Sequence, residues 1–145
     1  MLACCLGSNS AAAGFVGEFV TSGNISASLT SGSTYNFTLI SLTAGDWDVD
    51  GAIQYVCSVP TLTDAYVCVS TTSLDTTQSN MATAPWQRLT MAGNASQAGI
   101  HPPRLRLGLS ATTTVYLVAF CEFSSGTMMA NGVLTARRLR CVGST

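Results

Sequence analysis

At 145 residues, 47% hydrophobic and only 9% charged, the chain has the length of one domain and the composition of a compact β protein with a largely uncharged surface, long enough to bury a core without disulfides. The formal net charge is −1 and the six basic residues are all Arg, so there is no basic field to hold nucleic acid by its phosphates. The absence of Lys removes P-loop and Schiff-base enzymes.

The opening Met1-Leu2-Ala3-Cys4-Cys5-Leu6-Gly7 faintly resembles the end of a lipoprotein signal, without a basic stretch or room for an apolar one. No apolar run approaches the roughly 18 residues of a membrane helix. The expectation is a protein with neither lipid anchor nor membrane span. Residues 1–14, closing on Ala11-Ala12-Ala13-Gly14, are small and flexible in type and are expected to form an N-terminal arm.

From there the chain alternates runs of β-branched and aromatic residues with Gly, Asn, Ser and Pro. Strands are expected over 15–20, 24–30, 34–43, 47–59, 65–72, 87–91, 104–110, 113–123 and 133–142. Arg104-Leu105-Arg106-Leu107 puts arginines on one face and leucines on the other, and Tyr35, Phe37 and Leu39 are placed to share a face. Segments 73–85 and 92–103 are polar or Gly- and Pro-bearing and read as long surface connections. The expected fold is all-β: a single domain over 15–145, a jelly roll or β-sandwich of about eight antiparallel strands.

The six Cys form no Cys-x-x-Cys pair, which argues against zinc, and without an export signal buried thiols are expected rather than a disulfide framework. Cross-strand pairing of Cys57 with Cys68, or of Cys121 with Cys141, stays open on geometry.

Asp46, Asp48, Asp50 and Gly51 match the first half of a calcium loop, in which oxygen ligands alternate and Gly permits the sharp turn. The second half fails, because Cys57 stands where a bidentate Glu is needed. An extended segment is the better reading, with Trp47 and Val49 entering the core and the three aspartates outward. Neither a metal nor any other cofactor is expected.

Catalysis finds no constellation. The single histidine, His101, precedes Pro102-Pro103, and no Gly-x-Ser-x-Gly elbow occurs. Glu18, Asp64, Asp75 and Glu122 can be paired as glycosidase carboxylates only arbitrarily, and the chain is not expected to be an enzyme. Trp86, beside Gln87 and Arg88, is either a sugar platform or a packing anchor. Three sequons, at Asn24, Asn36 and Asn94, carry meaning only in a secreted protein. The closing segment loads Arg137, Arg138 and Arg140 onto one strand, either as surface residues with packed stems or as forks for carboxylates. Because Arg is enriched and Lys depleted at interfaces, the interface candidates are Trp86, Arg88, Arg104, Arg106, Arg137, Arg138 and Arg140.

Leu42-Thr43-Ala44-Gly45-Asp46-Trp47-Asp48-Val49 with Gly51, then Thr114-Val115-Tyr116-Leu117-Val118-Ala119, Phe123-Ser124-Ser125-Gly126 and Ala136-Arg137-Arg138-Leu139-Arg140, together resemble small structural proteins of tailed bacteriophages. The resemblance spans roughly 28–140. It implies a β-rich virion component, assembled in the host cytoplasm and located on the particle, that forms a homo-oligomer (dimer or trimer) and binds the major capsid protein or other virion proteins. The function expected from it is capsid decoration or cementing. The alternative is a fibre, receptor-binding or carbohydrate-binding β-sandwich module.

Overall fold

The computed structural model describes residues 11–57, 62–75, 86–89 and 97–140. Among them are ten strands and no helix: β1 (Phe19–Thr21), β2 (Ile25–Leu29), β3 (Ser33–Leu42), β4 (Gly45–Cys57), β5 (Leu62–Ser70), β6 (Trp86–Leu89), β7 (Gln97–Ile100), β8 (Leu105–Leu109), β9 (Thr113–Phe123) and β10 (Met128–Arg140). They pair antiparallel in two sheets. In the first, β10 and β4 are central, β1 and β2 both pair with the free side of β10, and β7 and β8 both pair with the free side of β4. The second runs β3-β9-β5-β6. With β1/β2 and β7/β8 each counted as one position, there are two four-stranded layers, and every other connection except β5 to β6 passes from one layer to the other. The chain is therefore a β-sandwich with jelly-roll strand order, its first and last strands side by side.

Alternation builds the core. Along β4, Trp47, Val49, Ile53 and Tyr55 are buried, and Val115, Leu117, Ala119 and Cys121 of β9 are buried in the opposite layer. Gly51 belongs to the same inward row, where an added Cβ would come within 2.6 Å of Leu117 Cδ1. Its function is close approach between layers, and it makes no turn. The Tyr55 hydroxyl crosses the sandwich and donates to the carbonyl of Phe120 at 3.1 Å. Burial, with a smaller contribution from Cys121, raises that phenol well above its ordinary range.

Four local expectations are corrected. Residues 15–17 form a turn rather than strand: Gly17 sits at φ 89°, its N–H donates to Arg138 O at 2.9 Å, and Phe15 N donates to Ala12 O at 3.1 Å. A short strand, β7, lies inside the expected loop 92–103. β10 begins at Met128, through an Asn131-Gly132 pair that reads as turn chemistry in isolation; Gly132 is needed because a Cβ there would meet the Phe37 ring at 2.6 Å. Finally, a bulge between Asn36 and Thr38 keeps Phe37 buried but turns Leu39 outward, 52% exposed, so Tyr35, Phe37 and Leu39 do not share a face. Of the expected arm, residues 1–10 lie outside the described residues; within 11–14, Gly14 N donates to Glu18 Oε2 at 2.7 Å.

Candidate functional site

The outer face of the first sheet gathers the charge of the molecule. Because Trp47 and Val49 enter the core, Asp46, Asp48 and Asp50 alternate along the outside of β4. Register then sets their neighbours. Asp48 stands opposite Arg137 of β10 and opposite Arg106 of β8, and Arg137 stands opposite Phe19 of β1. Phe19, Arg137, Asp48 and Arg106 thus form one row across four strands. The charges also pair diagonally, Arg106 with Asp46 at 3.4 Å and Arg104 with Asp48 at 3.8 Å. Their arginine side chains are 64–66% exposed, so these pairs contribute at most about 1 kcal/mol each. A buried Leu or Ile contributes about 1.5–3 kcal/mol; the fold is held by the core and not by this lattice.

Arg137 and Asp50 form no ion pair among the described residues. They border a small depression of about 150 Å³ with Phe19, Arg104 and Thr135. Phe19, which lines it, is itself 41% exposed. Three of the six arginines and three of the seven acidic residues therefore share one sheet face, with exposed Phe19 at its edge.

The aspartates do not form a metal cage. They alternate along an extended strand, where successive same-side residues stand about 6.5–7 Å apart, and two of them face arginines. Among the described residues no group of three or more His, Cys, Asp or Glu is placed to hold a metal ion. His101 is exposed and has no serine or carboxylate as hydrogen-bond partner among the described residues.

Arg138 is corrected as an interface candidate. It points inward and its side chain is 2% exposed. Nε donates to Glu18 Oε2 at 2.8 Å, Nη1 donates to Ala44 O at 2.6 Å and Nη2 donates to Thr43 Oγ1, while the guanidinium lies 4.2 Å from the centre of the Trp47 ring. Each nitrogen of the fork bonds within the chain, closing the end of the sandwich. Alternation places Arg137 and Arg138 on opposite faces, and a register shift follows between Arg138 and Arg140. The side chain of Arg140 lies outside the described residues, as does that of Trp86, whose backbone pairs with Cys68.

On the outer face of the second sheet, Arg88 grips Asp64 with both ends of its fork, Nε to Oδ1 at 2.9 Å and Nη2 to Oδ2 at 2.8 Å. It also lies over the Tyr66 ring at 5.5 Å. On the strand opposite, Phe120 stacks on Tyr66 with centroids 4.6 Å apart and planes 7° from parallel. Burial, then the neighbouring Asp64, raises the Tyr66 phenol. Sequence reasoning missed the pairs Asp64 with Arg88 and Glu18 with Arg138; their partners lie 24 and 120 positions apart, beyond any local pattern.

Cys68 and Cys121 are buried thiols. The Cys68 thiol donates to Asp75 O at 3.1 Å, and burial, assisted by Asp75, pushes it up to about 11. The side chain of Cys57, and Cys141 altogether, lie outside the described residues.

No family model, curated protein or solved structure gives a significant match to this chain.

Proposed function

We propose that this chain is a virion structural protein, a capsid decoration or cement protein that stabilises a phage head by bridging capsid subunits. The observation that carries the reading is the outer face of the first sheet, where Phe19, Arg137, Asp48 and Arg106 stand in one row and Arg137 and Asp50 are left without an ion pair among the described residues. A sheet face of alternating charge with exposed Phe19 at its edge suits another protein's surface. The resemblance of short motifs between Leu42 and Arg140 to tailed-phage structural proteins points the same way. On it, the partners are the major capsid protein or other virion proteins and further copies of the chain, as dimer or trimer, without cofactor or nucleic acid. Cementing works by adding contact area across subunit boundaries, which resists the internal pressure of a packaged genome.

The test compares wild-type particles with particles lacking the protein and with particles carrying Arg137→Glu. Both altered particles are expected to release DNA at lower temperature, read with a DNA-binding dye during a heating ramp. Unchanged release in particles lacking the protein overturns cementing. The alternative is a receptor-binding or carbohydrate-binding module using Trp86, whose side chain lies outside the described residues; loss of glycan binding in Trp86→Ala would favour it.

A further inference from the structure

Further along the first sheet, away from the charged row, register aligns Ser26, Asn131, Gln54 and Gly99 across β2, β10, β4 and β7. The neighbouring row pairs Val133 with Ala52. Asn131, Gln54, Gly99, Ala52 and Val133, together with Asn24 and His101, line an open depression of about 480 Å³, with Ser26 outside its lining; the volume is within the range of small-ligand sites, about 300–1,000 Å³.

Three properties set what it fits. The lining contains no Asp, Glu, Lys or Arg, although the charged row lies on the same face, so the ligand is neutral. Its small floor residues are Ala52 and Gly99, and an added Cβ at Gly99 would meet nothing within 4 Å; the space above this glycine is open, and packing does not demand a glycine there. Finally, the two central amides are held from outside. Ser26 Oγ donates to Asn131 Oδ1, which leaves the Asn131 amide hydrogens for a ligand. Gln54 Nε2 donates to Gln97 Oε1 at 3.0 Å, which leaves Gln54 Oε1 as an acceptor. Asn131 thus offers a donor beside the acceptor of Gln54, its partner across the strand pair, with Ala52 and Val133 next to them.

Sugar hydroxyls both donate and accept, and a pyranose ring offers an apolar C–H face between them. We infer that this depression is a binding site for a neutral saccharide, with Asn131 and Gln54 reading adjacent hydroxyls and Ala52 and Val133 meeting the ring. The site does not depend on the virion reading. Amides already oriented by their neighbours lose little freedom on binding, which favours affinity.

The test is an NMR titration of the isotope-labelled full chain with maltose, lactose and N,N′-diacetylchitobiose. At least one is expected to give saturable shifts centred on Gln54, Gly99 and Asn131, with a dissociation constant on the order of 1 mM. Gln54→Ala and Asn131→Ala are each expected to weaken binding by about 3- to 10-fold, the loss of one hydrogen bond between neutral groups. Gly99→Leu fills the depression and is expected to abolish the shifts while leaving the melting temperature unchanged. The inference is overturned if none of the three sugars gives saturable shifts, if the shifts survive Gly99→Leu, or if they centre elsewhere. It is also overturned if triglycine reproduces them, since the amides would then be reading a peptide backbone. Free chain is used throughout, so neither result bears on the cementing test.

Discussion

The guanidinium of Arg138 lies 4.2 Å from the centre of the Trp47 ring, so the most buried charge among the described residues rests on their largest buried side chain. The arrangement holds because Glu18 returns a carboxylate to Nε at 2.8 Å, Ala44 O accepts from Nη1 and Thr43 Oγ1 accepts from Nη2. Arg138→Met strands the Glu18 carboxylate, whose side chain is only 13% exposed, and is expected to cost about 3–5 kcal/mol. Urea denaturation checks it through a lower midpoint at unchanged slope. Adding Glu18→Gln to Arg138→Met is expected to recover part of the loss, since the unpaired charge is then gone.

Three glycines in strands predict three outcomes. Gly51→Ala drives a methyl to 2.6 Å from Leu117 Cδ1, and Gly132→Ala does the same against the Phe37 ring; overpacking of this kind costs about 1–3 kcal/mol. Gly99→Ala meets nothing and is expected to be neutral or to stabilise by up to about 1 kcal/mol through the unfolded chain. Thermal melts of the three variants give the order directly, and Leu117→Ala is expected to relieve part of the Gly51→Ala loss.

Alkaline pH is expected to unfold the protein more readily than neutral pH. Folding raises the Tyr55 phenol above its ordinary 10.0 and the Cys68 thiol from 9.0 to about 11. Above those ordinary values the unfolded chain releases protons that the folded chain keeps, so stability is fully present below about pH 9 and falls as pH rises further. Tyr55 alone adds up to about 1.4 kcal/mol per pH unit to that slope. Tyr55→Phe, although it loses the hydrogen bond to Phe120 O, is expected to flatten the alkaline limb. Denaturant midpoints measured from neutral pH to about pH 11 check the sign.

The exposed charge lattice is expected to matter little for folding. Arg104→Ala and Arg106→Ala each remove one surface pair and are expected to shift stability by less than about 1 kcal/mol, and added calcium is expected to leave the melting temperature of the wild type unchanged. A rise in melting temperature with calcium that Asp48→Ala removes would restore the ion-binding reading of the aspartate row.

Most strands were legible because their burial repeats every second residue, and alternation is a local property. β4 shows this best: Trp47 and Val49 against Asp46, Asp48 and Asp50 fixes its inner and outer sides without any partner in view. The misread places are glycines and bulges. Gly132 looks like a turn until Phe37, from the other layer, is seen to occupy the space of its missing Cβ, and Leu39 looks like core until the bulge after Asn36 reverses the pleat.

By itself, then, the sequence determined the β class, the single-domain length, the outward aspartates and the low content of charge, all of which follow from composition and period. Only the tertiary structure decided what those residues meet. It drew Arg138 inside against Glu18, 120 positions away, left Arg137 outside in the charged row, set Phe120 and Arg88 against the ring of Tyr66, and brought Asn131, Gln54 and Gly99 together in one depression. The reason is register: alternation assigns each residue a side of its own strand, and only the pairing of distant strands assigns it a neighbour.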